Sequence, residues 1–252
     1  MISRIHWNDE WYQVNFDEEF DISISIHSEG PQCFHSGKAK IRPQKIGDFV
    51  GSTKLGGQVN SYEVCFLPHA HGTHTECSAH IGLEDLHITD VLAKSHFICQ
   101  LMTVQPKTIV NGDQIIDQDL IRKHLDHAVP PAIVIRTRPN DDSKRGRNYT
   151  GSNPPYIHSS VLGDLADLGV QHFLTDLPSV DRENDGGALL AHKAFWKNPN
   201  QRKTATITEM IFADSSIADG FYLLNLQVAS FALDASPSRP ILYRLTHVGP
   251  QN

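Results

Sequence analysis

The pattern of hydrophobic and polar positions divides the chain into alternating strand-like and helix-like segments. Segments rich in β-branched, aromatic or leucine residues predict strands at 22–26, 61–67, 132–138, 170–175, 204–212, 221–228 and 241–245. Apolar residues at helical spacing predict helices at 117–128 and 159–168. Asp117 can cap the first helix by accepting hydrogen bonds from its free backbone N–H groups. Interleaved strands and helices of this kind are typical of a mixed α/β fold.

The length of the chain and its connections favour one domain. Polar connections occupy 139–155 and 181–187, and neither an internal repeat nor an interdomain linker is visible. With 252 residues, of which 39% are hydrophobic, the chain can bury a substantial core. We therefore predict a single mixed α/β domain over residues 1–252, in which a central sheet presents the functional site.

Composition argues against two classes of partner. A net charge of -7 without a long basic run disfavours nucleic acid. No segment approaches the about 20 continuous apolar residues of a membrane helix, and the first residues lack a signal pattern. The four cysteines form no C-x-x-C pair, which suits a reducing compartment. We expect a cytoplasmic protein that binds neither nucleic acid nor membrane.

Four histidines lie within twelve residues of one another: His69, His71, His74 and His80, with Glu76 two places after the third. Neutral imidazole and carboxylate are suited to zinc and similar divalent ions. His74 and Glu76 point to the same side of an extended segment, whereas on a helix they diverge by about 200°. The segment therefore predicts a strand end or loop that wraps a metal ion, unlike a helical H-E-x-x-H site.

Three further residues of this segment bear on the prediction. Gly72 supports a tight bend around an ion, because glycine freely adopts torsions that other residues avoid. His71 could replace a ligand, contact a ligand or lie at the surface, and we favour the last two. Cys77 could bind metal as a thiolate, but side-chain alternation turns it away from Glu76 in an extended segment. We expect it to be a structural thiol.

The segment resembles the H-x-G-T-H-x-D-x-P-x-H signature of the bacterial kynurenine formamidase family, also called the putative cyclase family, which includes isatin hydrolases. The similarity lies at His69, Gly72, Thr73, His74, Glu76 and His80. Three features depart from the signature: one extra residue before Gly72, glutamate in place of the usual aspartate, and Ser78 in place of proline. The extra residue leads us to assign His69, not His71, as the first ligand.

The resemblance continues along the chain. Residues 20–27 are similar to the family's opening strand, and residues 169–181 look like its strand that ends in an aspartate and a P-S-x-D turn. After that turn the family supplies a histidine and a glutamate to the metal site, which by position are His192 and Glu209. Residues 197–203 between them read as an inserted loop. The resemblance implies a swivelling β/β/α-type fold and a homodimer or higher homo-oligomer.

The resemblance also implies one or two divalent ions per chain, with zinc preferred and manganese as the alternative. In this scheme the first ion is held by His69, His74 and Glu76, and a second by Glu76, His192 and Glu209. An ion with an open position lowers the pKa of bound water to about 7 and polarises a carbonyl, so hydroxide can attack an amide.

His80 matches the family's catalytic histidine and could pass the proton of the attacking water to the departing amine. The resemblance implies a small-molecule substrate, and the predicted function is hydrolysis of a non-peptide C–N bond in an aryl formamide such as N-formylkynurenine or in a cyclic amide. The alternative is a diverged member that acts as a cyclase or dehydratase, or a non-catalytic metal-binding protein. Glu76 and His71 keep this alternative open. No G-x-S-x-G elbow or nucleotide-binding loop offers another mechanism.

Overall fold

A computed structural model describes residues 1–197 and 202–249 of the chain. The strands are β1 (Ile2–Trp7), β2 (Glu10–Asp21), β3 (Lys40–Pro43), β4 (Lys45–Ile46), β5 (Phe49–Val50), β6 (Tyr62–Cys65), β7 (His74–Cys77), β8 (His96–Val104), β9 (Lys107–Thr108), β10 (Gln114–Ile116), β11 (Ala132–Thr137), β12 (Tyr156–Ile157), β13 (His172–Thr175), β14 (Thr206–Glu209), β15 (Gly220–Asn225), β16 (Ala235–Pro237) and β17 (Ile241–Val248). The α-helices are α1 (Ile88–Val91), α2 (Gln118–Arg122), α3 (Ser159–Asp167) and α4 (Leu190–Trp196). Short 3₁₀ turns occupy Thr53–Leu55, Ser78–His80 and Asp142–Gly146.

Ten of the strands form one large sheet in the order β1-β2-β17-β15-β8-β11-β13-β14-β7-β16. Its central strands β8, β11, β13 and β14 are parallel to one another. The strands on both sides of this group pair antiparallel. The predicted mixed α/β class is confirmed.

The core lies on both faces of the central strands. In β11, Ile133 and Ile135 point to one face, where they pack with buried residues of α3 and α4. Ala132 and Val134 point to the other face and pack with residues of β8 and β15 and with Ile22. Burial on both faces explains why β11 is a continuous apolar run and does not alternate with polar residues.

Most of the predicted elements are present. Each predicted strand except 22–26 overlaps an observed one, and the helix predicted at 159–168 is α3. The helix predicted at 117–128 is shorter, since α2 ends at Arg122, but Asp117 caps it by accepting a hydrogen bond from the Leu120 N–H (3.1 Å). The predicted loop at 197–203 lies mostly outside the described residues.

Within residues 1–197 and 202–249, no helix is long and apolar enough to cross a membrane.

The strand predicted at 22–26 is wrong, because the backbone partners of this segment come from several places. The Ile22 N–H donates to the carbonyl of Pro240 (3.1 Å), and the Ile22 carbonyl accepts from the Phe212 N–H (2.8 Å). The Ile24 N–H donates to the side chain of Thr73 (2.7 Å). Ile22 and Ile24 are buried, and these backbone groups are hydrogen-bonded without forming a continuous ladder with one strand.

Candidate metal centre

The histidine-rich segment contains a bend that is held by Gly72 and Thr73. Gly72 has a φ of 85°, and a Cβ at this position would lie 2.7 Å from the carbonyl oxygen of Ile24. Thr73 Oγ1 accepts a hydrogen bond from the Ile24 N–H (2.7 Å) and donates one to the carbonyl of Met210 (2.5 Å). The bend requires glycine, and it places His74 at the start of β7.

Strand β7 directs His74 and Glu76 to one face of the sheet, as their spacing predicts. The neighbouring strand β14 pairs Glu209 with His74, so the Glu209 side chain lies on the same face. His74 Nε2 is 3.5 Å from Glu209 Oε2, and all three residues are buried. Strand pairing therefore joins a glutamate to a histidine that precedes it by more than 130 residues.

His69 and His192 each lie close to a different carboxylate oxygen of Glu76. His69 Nδ1 lies 3.0 Å from Glu76 Oε2, and His192 Nε2 lies 3.0 Å from Glu76 Oε1. His192 Nε2 is also 3.9 Å from Glu209 Oε1. The structure thus brings together the five residues that were predicted as ligands, His69, His74, Glu76, His192 and Glu209.

Asp181 orients His192 at the start of helix α4. Its carboxylate accepts hydrogen bonds from the backbone N–H groups of Ala191 (2.7 Å) and His192 (3.3 Å). The same carboxylate lies 2.5 Å from His192 Nδ1. Because Nδ1–H donates to Asp181, Nε2 is the nitrogen that faces Glu76. The P-S-x-D turn was predicted, but this role for its aspartate was not.

Two buried atoms of the cluster have no hydrogen-bond partner among the described residues: His74 Nε2 and Glu76 Oε2. His74 Nδ1 lies 3.1 Å from the carbonyl oxygen of Gly72 and donates to it, so Nε2 carries a lone pair. Buried electron-pair donors without a hydrogen or cation between them cost free energy. A divalent ion removes this cost, and a set of imidazoles and carboxylates suits zinc. The residues therefore fit a metal.

The histidines and carboxylates of the cluster shift one another's pKa values. Burial lowers the pKa of His69, but its hydrogen bond with Asp234 and the nearby carboxylate of Glu76 outweigh this effect and raise the pKa to about 10. Burial likewise opposes protonation of His192, and the neighbouring Glu76 contributes most to raising its pKa to about 10. Burial acts to raise the pKa of Glu76, yet the charges of His80 and His192 hold it well below its usual value. A divalent ion bound here would supply the same positive charge in place of these protons.

His80 lies at the open side of the cluster beside a carboxylate that the sequence did not indicate. Its Nε2 is 3.8 Å from Glu76 Oε2, and its ring stacks on His69 with centroids 4.1 Å apart. Its Nδ1 is 3.2 Å from Asp234 Oδ2, and that oxygen is also 2.8 Å from His69 Nε2. Asp234 immediately precedes β16, and the pairing of β16 with β7 brings it to the site. No motif in the sequence marks it.

His71 and Cys77 lie outside the ligand cluster. His71 is buried; its Nδ1 accepts a hydrogen bond from the Leu67 N–H (2.9 Å), and its Nε2 donates to the carbonyl of Gly37 (2.8 Å). Both ring nitrogens are therefore used to hold loops together. Cys77 Sγ lies 3.6 Å from the carbonyl oxygen of Leu86, on the other side of β7. The prediction of an extended segment accounts for this orientation.

A cavity of about 340 Å³ opens onto the cluster. Its polar lining includes His69, His80 and His192, and its apolar lining includes Phe34 and Leu189. A larger cavity of about 500 Å³ lies beside the first residues of β8 and β13, at the opposite end of the parallel strands. The smaller cavity is therefore the one that gives a substrate access to the candidate metal ligands.

Comparisons with known proteins agree with this arrangement. Residues 20–182, more than half of the chain, match the model of a family described as "Putative cyclase". A solved structure described as a potential metal-dependent hydrolase with cyclase activity is 15% identical, with a TM-score of 0.65 over 90% of this chain and 97% of that chain.

Two isatin hydrolase structures also share the fold. Isatin hydrolase A from Labrenzia aggregata, bound to benzyl benzoate, is 12% identical, with a TM-score of 0.64 over 90% of this chain and 93% of that chain. An isatin hydrolase bound to the product analogue thioisatinate is 14% identical, with a TM-score of 0.64 over 91% of this chain and 93% of that chain. At these identities the likeness concerns the fold.

Proposed function

This chain belongs to the putative cyclase family, and from that premise we propose that it is a metal-dependent hydrolase of a non-peptide C–N bond. The observation that carries the proposal is the pair of buried atoms without hydrogen-bond partners, His74 Nε2 and Glu76 Oε2, within a cluster of imidazoles and carboxylates. The cluster lies at the end of a cavity of substrate size. The solved structure with the same fold that is described as a potential metal-dependent hydrolase with cyclase activity adds support.

The clustered residues would hold one or two ions per chain. His69, His74 and Glu76 offer ligand atoms within 4.8 Å of one another and would hold the first ion. Glu76, His192 and Glu209 would hold a second, with Glu76 shared between them. Imidazole nitrogen and carboxylate oxygen favour zinc, and manganese is the second candidate.

The reaction divides between the ion and the residues around it. When bound, the ion supplies Lewis acidity, which activates water and polarises the substrate carbonyl. His80 borders both the ligands and the cavity, and we assign it the acid–base role. It takes a proton from the attacking water and delivers it to the amine nitrogen as the C–N bond breaks.

The cavity lining supports an aromatic or similarly apolar substrate. Phe34 lines the cavity yet is 46% exposed, so a ring bound there would cover apolar surface. Phe34 and Leu189 both have positive φ values, 54° and 49°, and such backbone strain concentrates at ligand sites. We therefore propose an aryl formamide such as N-formylkynurenine, or a cyclic amide such as isatin, as the substrate class.

The test is elemental analysis of the purified protein together with hydrolysis assays on N-formylkynurenine, formanilide and isatin. We expect one or two metal ions per chain and hydrolysis of at least one compound, with both lost in His74→Ala. His127→Ala is the matched control, because His127 is exposed and belongs to none of the candidate ligand groups. A protein that binds no zinc or manganese would refute the proposal. Bound metal without hydrolysis would favour a cyclase, a dehydratase or a non-catalytic role.

A further inference from the structure

Asp234 contacts two imidazoles of the site with one carboxylate oxygen. Asp234 Oδ2 lies 2.8 Å from His69 Nε2 and 3.2 Å from His80 Nδ1. The backbone carbonyl of Asp234 accepts a hydrogen bond from the Cys77 N–H (3.0 Å), which ties it to the strand that carries His74 and Glu76. The position of this carboxylate is therefore set by the same sheet that positions the candidate ligands.

These contacts determine which nitrogen of each ring carries the proton. An imidazole that donates one N–H to a carboxylate presents its other nitrogen as an electron-pair donor. For His69 the second nitrogen is Nδ1, which lies 3.0 Å from Glu76 Oε2. For His80 it is Nε2, which lies 3.8 Å from the same oxygen. Both free nitrogens face the buried side of the cluster, where the metal would bind.

We propose that Asp234 is a positioning residue that orients His69 for metal binding and His80 for proton transfer at the same time. The inference rests on the proposed function and deepens it, because one carboxylate then couples ion affinity to acid–base catalysis. The two rings stack on each other, so a rotation of either ring disturbs its neighbour. Asp181 differs from Asp234, because among these histidines its side chain contacts only the ring of His192.

Asp234, His69 and His80 are also close enough to offer a donor set of their own. The geometry favours orientation over ligation. An ion held by Asp234 would take the outer nitrogens, His69 Nε2 and His80 Nδ1, and would leave Glu76 Oε2 buried without a partner. With the protons on the outer nitrogens, the inner ones and Glu76 Oε2 are free to share one ion.

The experiment compares Asp234→Asn with wild type, using the full chain loaded with zinc. Zinc affinity is measured by competition with a chromophoric chelator. Ring ¹⁵N–¹H spectra of ¹⁵N-histidine-labelled protein report the tautomer of His80, which is assigned with His80→Gln. kcat and KM are measured on a hydrolysed amide. Asp164→Asn is the control, because Asp164 is a half-exposed aspartate on α3 that binds Arg122 and Gln118.

For Asp234→Asn we expect zinc affinity and kcat each to fall by about 10- to 100-fold, with KM little changed. The Nδ1–H tautomer of His80 should no longer dominate. Asp234→Glu should recover part of both losses, because it restores a carboxylate, and Asp164→Asn should match wild type. If circular dichroism shows that Asp234→Asn is unfolded, the same measurements are made on Asp234→Ser, for which we expect the same losses.

Two results would overturn the inference. The first is wild-type zinc affinity and an unchanged His80 tautomer in Asp234→Asn. The second is the loss of one whole zinc ion per chain while the remaining ion binds as tightly as before, which would make Asp234 a ligand. Affinity and tautomer can be measured even if wild type hydrolyses none of the amides. Failure of the proposed function is therefore distinguishable from failure of this inference.

Discussion

The hydroxyl group of Thr73 links the start of strand β7 to two other segments. It accepts a hydrogen bond from the Ile24 N–H and donates one to the carbonyl of Met210, and both of these residues are buried. Thr73 immediately precedes His74, and Met210 immediately follows Glu209, so the hydroxyl joins the backbones beside two predicted ligands. We predict that Thr73→Val, which exchanges the hydroxyl for a methyl group of similar size, destabilises both the fold and the site.

The magnitude follows from the groups left without a partner. The variant deprives one buried N–H and one buried carbonyl of their partner, and each loss costs about 1–3 kcal/mol. The free energy of unfolding should therefore fall by about 2–6 kcal/mol, with no added cavity term. Each kcal/mol lowers the Tm of a domain of this size by about 2–4 °C, so the expected fall in Tm is roughly 10 °C.

The assay is urea denaturation followed by circular dichroism, performed with a chelator so that metal binding does not contribute. Thr73→Ser is the matched control: it keeps the hydroxyl and loses one methyl group, which should cost about 1 kcal/mol. Zinc affinity of the folded variants is then compared, and Thr73→Val should bind zinc more weakly than Thr73→Ser. If Thr73→Val proved as stable as Thr73→Ser, the assignment of these hydrogen bonds would be refuted.

Three further predictions concern other parts of the molecule. Lys144 Nζ forms a buried ion pair with Asp176 (2.7 Å), so Asp176→Asn should lower the free energy of unfolding, measured by urea denaturation, by about 3–5 kcal/mol. The double variant with Lys144→Met should recover part of this loss, and additive losses in the two variants would contradict the prediction. Burial lowers the pKa of His172 from 6.5 to about 4, so the folded state favours the neutral ring. The stability that this provides is complete above pH 6.5 and should fall by about 2 kcal/mol by pH 5, a loss absent from His172→Gln. Equal pH dependence in the two proteins would contradict that reasoning. Phe34→Ala should raise the KM for an aryl amide about 10-fold or more with a smaller effect on kcat, whereas Phe34→Leu should raise it less, and an unchanged KM would exclude Phe34 from the substrate site.

Sequence patterns predicted those elements in which the spacing of apolar residues is enough to show which side chains are buried. The helix predicted at 159–168 is present because its apolar residues fall on one face that packs against the sheet. The strand predicted at 22–26 was wrong even though Ile22 and Ile24 are buried. A strand requires a partner strand in register, and the backbone partners of this segment come from separate segments. The long hairpin of β1 and β2 and the central strand β8 were not predicted at all.

In the candidate site, too, some residues could be predicted from local sequence and others could not. His74 and Glu76 are two residues apart on an extended segment, so their shared direction was readable from the sequence. The placement of His192 and Glu209 relied on resemblance, and the structure brings both residues to Glu76 or His74. Asp234 could not be predicted from the sequence because it belongs to no motif.

The sequence by itself determined the types of donor atom in the candidate site and the shared direction of His74 and Glu76, because residue type and short-range spacing specify both. It also determined the mixed α/β class, through apolar runs and helical periodicity. The choice of His69 over His71 relied on resemblance, and only the tertiary structure gives its physical reason: His71 holds loops together, and His69 faces Glu76. The tertiary structure alone placed Asp234 beside His69 and His80, because contacts across a sheet depend on strand order and register, and these emerge only when distant segments pair.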